Sequence, residues 1–330
     1  MLHQAQSTKA LEPMSHLYAY PFHWQLPAAT EKAAFEAMKE IEGEIKFQYF
    51  GIPWATIIDG VRAKSPRVGE ILSALRTLCA SAPTGERRAT VAQHIHAVRF
   101  IELFKAAGIT DLFWSHAVAG QRDIEGIAIH PFPLFPAQAP EPEETALEKK
   151  KRYLANFVGA YNPGIYLSNV RQKIFEDEGS DSSLLIIKRD RWHFDRSVYV
   201  EQIGGEKPEE NQLSLETRMT EEYLQAIRNS WFTLCPTGSG PNSIRIFESL
   251  NLRSIPIILT RDLRLAGPSE LWKQAAITEE DSESGYRKAM ERAQATSPDD
   301  REAKIAAGAK LQKVIGPTAY GQLIILTMLS

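Results

Sequence analysis

The sequence contains little cysteine. Its two cysteines, Cys79 and Cys235, are too few for a disulfide framework, and both lie in apolar segments. Free thiols in such segments pack as small hydrophobic side chains. We therefore expect a protein of a reducing compartment, and the cytoplasm is the predicted location.

Long hydrophobic runs and a large excess of charge are also missing. No stretch approaches the ~20 apolar residues that cross a bilayer, and residues 1–13 lack the apolar core of a secretion signal. The 38 Lys and Arg nearly balance the 41 Asp and Glu, for a formal charge of -3. No nucleic-acid partner is expected, because a whole-surface positive field is absent. The apolar residues 320–330 are typical of a docking helix end rather than a membrane anchor.

The length and the order of predicted elements indicate two α/β domains. At 330 residues and 43% apolar composition, the chain is large for one core. Residues 136–150 are rich in proline and charge and divide it near the middle. We predict a first domain at 1–140, a hinge at 141–150 and a second domain at 151–330 that includes the C-terminal helices. Alternating strands and helices favour two Rossmann-like, doubly wound parallel sheets that face each other across a cleft.

One segment, 231–259, predicts an anion site. Its pattern is an apolar strand, a glycine-rich loop, an amphipathic helix and a second strand, which together form a βαβ unit. Gly238, Ser239 and Gly240 come just before a helix that begins near Ser243. Free backbone N–H groups and the positive end of the helix dipole would bind phosphate there.

Three charged side chains extend this prediction to a nucleotide. Arg245 lies in the first turn of the helix. Glu248 follows one turn later and could accept hydrogen bonds from ribose, although this spacing also fits a surface salt bridge with Arg245. The loop 159–164 follows another strand end and precedes a helix that carries Arg171. If both strands share one parallel sheet, Arg171 could reach a phosphate near Gly238.

Four short segments resemble the exostosin family of glycosyltransferases. They have the sequences CPTG, SIRIFE, IPII and WKQAAI and occupy 235–238, 243–248, 255–258 and 272–277. The similarity covers about residues 110–280. It departs from the family pattern at Thr237, where arginine is common, and at Ala117, where an aspartate commonly follows the strand-end histidine.

The resemblance implies a two-domain GT-B architecture and sugar transfer with inversion of the anomeric centre. It also implies a nucleotide-sugar donor, usually a UDP-sugar, held by the C-terminal half. The domain at 151–330 is therefore the expected nucleotide-sugar-binding domain, and the domain at 1–140 is the expected acceptor-side domain. No further cofactor is expected. The sequence contains no Asp-x-Asp, so we predict a metal-independent reaction in which the helix start and Arg171 or Arg245 meet the charge of the leaving diphosphate.

An inverting transfer needs a base to remove the proton of the acceptor hydroxyl. The candidates in the first half are Asp59, His116, Asp123 and His130. His116 ends an apolar strand and is favoured, whereas Asp59-Gly60 is typical of a turn and His130 precedes a proline.

His94 and His96 alternate on one face of a predicted strand. This spacing could ligate a metal, but no third ligand is evident, and burial or surface placement is the preferred interpretation.

The sequence therefore predicts an inverting glycosyltransferase that moves a sugar to a glycan or to a lipid-linked saccharide. A lipid-linked acceptor would place the protein at a membrane surface. The alternatives are a nucleotide-sugar epimerase or phosphorylase of the same architecture, and a non-catalytic nucleotide-sugar-binding partner of an active transferase. No oligomeric state is predicted.

Overall fold

The computed structural model describes residues 16–65, 67–143, 151–190 and 210–330. The described strands form two separate sheets, one before and one after the predicted hinge. The strands are β1 Leu17–Ala19, β2 Gln48–Gly51, β3 Arg88–Ala92, β4 Asp111–Trp114, β5 Asp123–Ile124, β6 Ile127–Pro131, β7 Tyr153–Ala160, β8 Leu184–Arg189, β9 Ser230–Pro236, β10 Ile255–Leu259 and β11 Ile277–Glu279. The helices are α1 Thr30–Glu40, α2 Trp54–Arg62, α3 Arg67–Ser81, α4 Ile101–Ala106, α5 Val170–Glu176, α6 Glu210–Arg228, α7 Ile244–Asn251, α8 Ser269–Ala275, α9 Glu283–Ala295, α10 Pro298–Ile315 and α11 Tyr320–Leu329.

The first sheet has the strand order β1-β2-β3-β4-β6-β5, and only the β5–β6 pair is antiparallel. Strands β2, β3 and β4 are buried at every residue. Because successive side chains of a strand point to opposite sides, both faces of the sheet are covered there. Tyr49 and Phe113 pack with α1 and α11, whereas Phe50 and Leu112 pack on the opposite face with α2, α3 and α4. Helices therefore cover both faces, as predicted.

The second sheet has the order β11-β10-β9-β7-β8 and is parallel throughout. Phe157 and Phe232 pack on one face with α5 and α9. Cys235 and Ile258 face α7, α8 and α10 on the other side. This doubly wound arrangement confirms the predicted fold class of two Rossmann-like sheets, the GT-B type of architecture.

The last helix departs from the expected division of the chain. Helix α11 packs Tyr320, Ile324 and Met328 into the core beneath the first sheet, against α1. Assigning all of 151–330 to the second domain is therefore wrong for these residues. The C-terminal apolar segment is a docking helix, as expected, but it docks on the other domain. Of the predicted hinge 141–150, residues 144–150 lie outside the described part of the chain.

The two domains contact each other through backbone hydrogen bonds. The Ala119 N–H donates to Asp262 O at 2.7 Å, and the Arg264 N–H donates to Ala117 O at 2.8 Å. The side chain of Arg264 adds a bond from Nη1 to Ile129 O at 3.0 Å. Ala117, the position of one departure from the family pattern, therefore lies in the contact between domains.

None of the helices in the described ranges combines the length and the apolar composition needed to cross a bilayer.

Candidate functional site

The predicted phosphate-binding loop connects the end of β9 to the start of α7. The Gly238 N–H donates to Gly240 O at 3.0 Å, and Gly238 O accepts from the Leu167 N–H at 3.0 Å. The expectation that the amide of Gly238 is free is therefore wrong, because the loop turns back on itself at Gly240. Ser239 is exposed. Ser243 is the N-cap of α7, yet its side chain makes no capping hydrogen bond.

Asn242 organises the start of α7 and was not identified from the sequence. Its Oδ1 accepts from the Ser243 N–H at 2.8 Å, and its Nδ2 donates to Ser115 O in the first domain at 2.6 Å. Its backbone N–H points at Nδ1 of His116 over 3.4 Å. The preference for asparagine at helix starts was the available sequence signal.

Gly240 allows the first domain to lie directly against this loop. A Cβ at position 240 would be 2.7 Å from Ile95 Cγ2 and 2.7 Å from His116 Nδ1. Both distances are shorter than any normal carbon contact, so a larger residue would push the domains apart. The start of α7 thus lies at the bottom of the cleft between the domains.

Two arginines converge on the end of β7. Arg171 donates from Nη1 to Ala160 O at 3.0 Å and from Nε to Thr237 O at 2.9 Å. Arg245 donates from Nη2 to Val158 O at 2.7 Å. The loops after β7 and β9 therefore open on the same side, and Arg171 reaches the glycine loop, which confirms the predicted convergence.

Neither arginine forms an ion pair with a carboxylate within the described ranges. Arg171 is buried beneath Tyr166, whose ring centroid is 4.3 Å from the guanidinium carbon. Burial and the neighbouring Arg245 lower the pKa of Arg171 to about 10, so it remains a cation at neutral pH. The Nε of Arg245 is buried and makes no hydrogen bond with the residues that are described. Two adjacent cations, with no bonded carboxylate among the described residues, are an arrangement that favours a bound anion.

Thr237 makes a contact that the sequence did not predict. Its hydroxyl donates to Oδ2 of the buried Asp281. The second oxygen of Asp281 is buried without a hydrogen-bond partner in the described structure. Asp281 ends the acidic run 279–281, and nothing in that run distinguished it from a solvated surface.

Glu248 is fully buried in α7, so the surface salt bridge considered for it is wrong. Its Oε1 accepts from the backbone N–H of Gln138 at 2.9 Å, and its Oε2 accepts from the Tyr223 hydroxyl. Burial raises the pKa of Glu248, and these two hydrogen bonds oppose the increase. The carboxyl therefore joins α7 to α6 and to the segment that leaves the first domain.

His116, the base favoured from the sequence, lies where the first domain touches the glycine loop. Its ring is buried, and the backbone of Gln93 forms a hydrogen bond with it. Burial and the neighbouring His94 lower its pKa to about 3. His116 is thus a neutral histidine enclosed by the contact between domains.

Asp59 lies within helix α2, and the turn predicted at this position is wrong. Its Oδ1 is 3.0 Å from Nε2 of His94, and its Oδ2 accepts from Gln25 Nε2 at 2.9 Å. Burial raises the pKa of Asp59, but the hydrogen bonds from His94 and Gln25 and the charge of Arg62 outweigh this effect and lower the pKa overall. The pairing of Asp59 with His94 depends on the fold, because the residues are far apart in sequence.

The other two base candidates lie away from this cluster. Asp123 is exposed in the β5–β6 hairpin, where its carboxylate accepts from the Gly126 N–H at 3.1 Å. His130 Nε2 is 2.9 Å from Oδ1 of Asp111, which also binds Arg87. Since Asp111 begins β4, this pair lies toward the opposite end of the sheet from the cleft. Among the described residues, no group of three or more His, Cys, Asp or Glu side chains could hold a metal ion.

A family model for the exostosin GT47 domain matches residues 102–286, more than half of the chain. The match extends from α4 of the first domain to α9 of the second and includes both arginines and the glycine loop.

Individual relatives are more distant. Ribitol-5-phosphate xylosyltransferase 1 from mouse is 29% identical over 126 residues, and the human protein of that name is 29% identical over 124 residues. These regions are 37% of this chain but only 23% and 22% of the two relatives, so the chain spans less than a quarter of their length.

Two solved structures resemble the fold at low identity. The pneumococcal O-GlcNAc transferase GtfA, solved with UDP and GlcNAc, has a TM-score of 0.41 and 10% identity over 90% of this chain and 59% of its own. The N-terminal domain of the Candida albicans trehalose-6-phosphate phosphatase has a TM-score of 0.42 and 10% identity over 80% of this chain and 77% of its own.

Proposed function

This chain belongs to the exostosin GT47 family and is a glycosyltransferase, and we propose that its second domain binds a UDP-sugar for transfer to a hydroxyl of a glycan or lipid-linked saccharide. The observation that carries this proposal is the pair of arginines at the end of β7. Arg171 and Arg245 are held by main-chain carbonyls and lack a bonded carboxylate within the described ranges, so a diphosphate would supply the missing negative charge.

The start of α7 adds to this anion site. The exposed Ser239 and the capping position of Ser243 lie in the loop against which Arg171 packs. Free N–H groups at a helix start favour negative charge, and the helix dipole acts in the same direction. The proposed site therefore combines two guanidinium groups with a helix N-terminus.

The proposed reaction is an inverting displacement at the anomeric carbon. The acceptor oxygen forms a bond to that carbon while the bond to the diphosphate oxygen breaks, and the electron pair of that bond stays on the departing diphosphate. Arg171 and Arg245 stabilise this developing charge because they are already oriented before the reaction.

With these two cations in place, we propose that transfer does not depend on a metal ion. Activity should then survive EDTA, whereas loss with EDTA and recovery with a divalent cation would reject metal independence.

Glu248 is proposed to bind the ribose of the donor. Each carboxylate oxygen has two acceptor directions, and the Gln138 N–H and the Tyr223 hydroxyl occupy one on each oxygen. The remaining directions can accept the two ribose hydroxyls once the segment at Gln138 moves aside, because Glu248 is fully buried in this structure. The bond from Tyr223 holds the orientation of the carboxyl.

Binding of UDP to the full chain tests the anion site directly. We expect UDP to raise the thermal unfolding temperature of the wild type, since a ligand specific for the folded state stabilises it. Arg171→Ala and Arg245→Ala should each weaken binding at least about tenfold. Arg287→Ala is a matched control, because Arg287 is exposed on α9 and pairs with Glu283. Binding that is unchanged in both site variants would reject the proposed diphosphate position.

Ribose recognition requires a separate comparison. The wild type should bind UDP more tightly than 2′-deoxy-UDP, and Glu248→Gln should reduce that preference. Glu36→Gln is the control, since Glu36 is an exposed carboxyl on α1. An equal preference in the wild type and in Glu248→Gln would contradict the ribose role.

A panel of UDP-sugars then identifies the donor. Xylose is the first sugar to test, because the mouse and human relatives are named for xylosyl transfer to ribitol-5-phosphate. Release of UDP from one sugar nucleotide and not from the others would name the donor.

A further inference from the structure

The loop that follows β3 brings histidines to the cleft. Ile95 lies against the glycine loop, since a Cβ at Gly240 would be 2.7 Å from Ile95 Cγ2. His94 and His96 flank Ile95. The loop is fixed by a bond from Trp114 Nε1 to His94 O at 2.9 Å. Residues 94–96 therefore occupy a defined position opposite the proposed donor site.

His94 has both ring nitrogens engaged. Its Nε2 is 3.0 Å from Asp59 Oδ1, and its Nδ1 accepts from the backbone N–H of His96 at 3.0 Å. Because Nδ1 is an acceptor, the ring proton is on Nε2 and is donated to Asp59. His94 is buried and has no ring nitrogen left for a substrate. Its position instead fixes the backbone of His96.

His96 differs from both neighbouring histidines in its exposure. Its ring is only partly buried, with its centroid 5.5 Å from that of His94. Within the described ranges, neither of its ring nitrogens makes a hydrogen bond. Burial lowers the pKa of His96, the positive charges of Arg62 and Arg99 act in the same direction, and Asp59 opposes them. A neutral imidazole with an unoccupied nitrogen can accept a proton.

His116 lacks these properties. The ring is enclosed by Gly240 and Asn242 of the second domain, and the backbone of Gln93 occupies one ring nitrogen. An acceptor hydroxyl could reach it only if the glycine loop moved away, and that movement would take the proposed donor site with it. His116 is better suited to fix the contact between domains.

We propose that His96 is the general base of the transfer reaction, and that His94 and Asp59 are the positioning residues that hold it at the cleft. This inference rests on the proposed function. The acceptor hydroxyl gives its proton to an imidazole nitrogen of His96 as its oxygen forms the bond to the anomeric carbon. The electron pair of the broken bond leaves with the diphosphate, which Arg171 and Arg245 retain.

The test measures UDP release from a UDP-sugar by the full chain, with water as the acceptor. His96→Ala should reduce the rate by about 10²–10⁴-fold, the usual contribution of a general base. The Kd for UDP should change by less than about twofold, since the base does not contact the nucleotide. Added imidazole should restore part of the rate in His96→Ala and should not accelerate the wild type, because a small base can occupy the space left by the ring.

Two further variants test the arrangement. Asp59→Asn should lower kcat while leaving the KM for the donor unchanged, a separation that a general loss of structure would not produce. His130→Asn is the matched histidine control, because His130 pairs with Asp111 away from the cleft. If His96→Ala does not fold, His96→Gln provides the same measurement with a side chain that retains hydrogen-bonding atoms.

The possible outcomes are distinct. If His96→Ala and His96→Gln both release UDP at the wild-type rate, this inference is overturned and the proposed function remains intact. The same conclusion follows if added imidazole restores the rate of His116→Ala and does not restore that of His96→Ala. A wild type that neither binds UDP nor releases it from any UDP-sugar overturns both.

Discussion

Arg171 and Arg245 donate to carbonyl oxygens two residues apart on one strand end, Arg171 to Ala160 O at 3.0 Å and Arg245 to Val158 O at 2.7 Å. Carbonyls orient the guanidinium groups without neutralising them, whereas a carboxylate partner would cancel their charge. The end of β7 therefore presents a fixed double positive charge to the cleft.

The first prediction concerns turnover. Arg171→Ala should lower the rate of UDP release about 10²–10³-fold, because one preoriented donor to the leaving group is lost. Arg171→Lys should fall between the wild type and Arg171→Ala, since lysine keeps the charge and loses the planar geometry that binds two carbonyls. Equal rates in the wild type and Arg171→Ala would show that this guanidinium does not act on the leaving group.

The second prediction concerns the close contact at Gly240. Gly240→Ala should destabilise the protein by about 1–3 kcal/mol and reduce turnover, because its methyl group would overlap with Ile95 and His116. Gly69→Ala on α3 is the control, since no atom beyond its chain neighbours and the backbone of its own helix lies within 4 Å of the added methyl group. Urea unfolding and UDP release measure the two effects. If Gly240→Ala were as stable and as active as Gly69→Ala, the contact would not be required.

The third prediction is a pH dependence that originates at Glu31. Burial raises the pKa of this carboxyl from 4.5 to about 8, although the backbone N–H groups of Gln93 and Ala55 oppose the increase. The folded protein thus holds a proton that the unfolded chain releases above about pH 4.5. The contribution of Glu31 to the free energy of unfolding is therefore fully present below about pH 4.5 and declines as the pH rises toward 8.

Glu31→Gln imitates the protonated carboxyl and should remove this dependence. The free energy of unfolding, measured in urea at about pH 6 and about pH 9, should fall for the wild type by more than for Glu31→Gln. Glu36→Gln is the control, because Glu36 is exposed on the same helix. Parallel pH dependences in the wild type and in Glu31→Gln would exclude Glu31 as the source.

The fourth prediction concerns the crossing of α11 to the first domain. Ile324→Ala should cost about 2–5 kcal/mol, because Ile324 is completely buried beneath the first sheet. Leu326→Ala, on the same helix and 64% exposed, should stay within about 0.5 kcal/mol of the wild type. Chemical denaturation of both variants provides the measurement, and similar losses would contradict the packing described for α11.

The strands, helices and glycine loop of the second domain could be predicted from local sequence patterns. The unit β9-α7-β10 is contiguous and has its glycine loop between a strand and a helix, so its elements and the direction of its loop follow from short-range chemistry. The approach of Arg171 to that loop also followed, because right-handed connections place parallel strand ends on the same side.

Contacts between residues far apart in the sequence could not be predicted from local patterns. Asp59 and His94 meet only because α2 and the loop after β3 lie at the same edge of the first sheet, and each alone resembles a common turn or loop residue. The sequence also could not predict which domain α11 packs against, since an apolar helix has a buried face in either case. The bonds of Glu248 to Gln138 and Tyr223 likewise depend on the final packing.

Helix α11 also determines how the two halves can move. The polypeptide passes from the first domain to the second between β6 and β7, and it returns between α10 and α11. Because the backbone crosses between the domains twice, any rotation of one domain relative to the other must satisfy two covalent connections rather than one. These crossings keep the loop of Ile95 and His96 on the side of the first domain that faces the glycine loop.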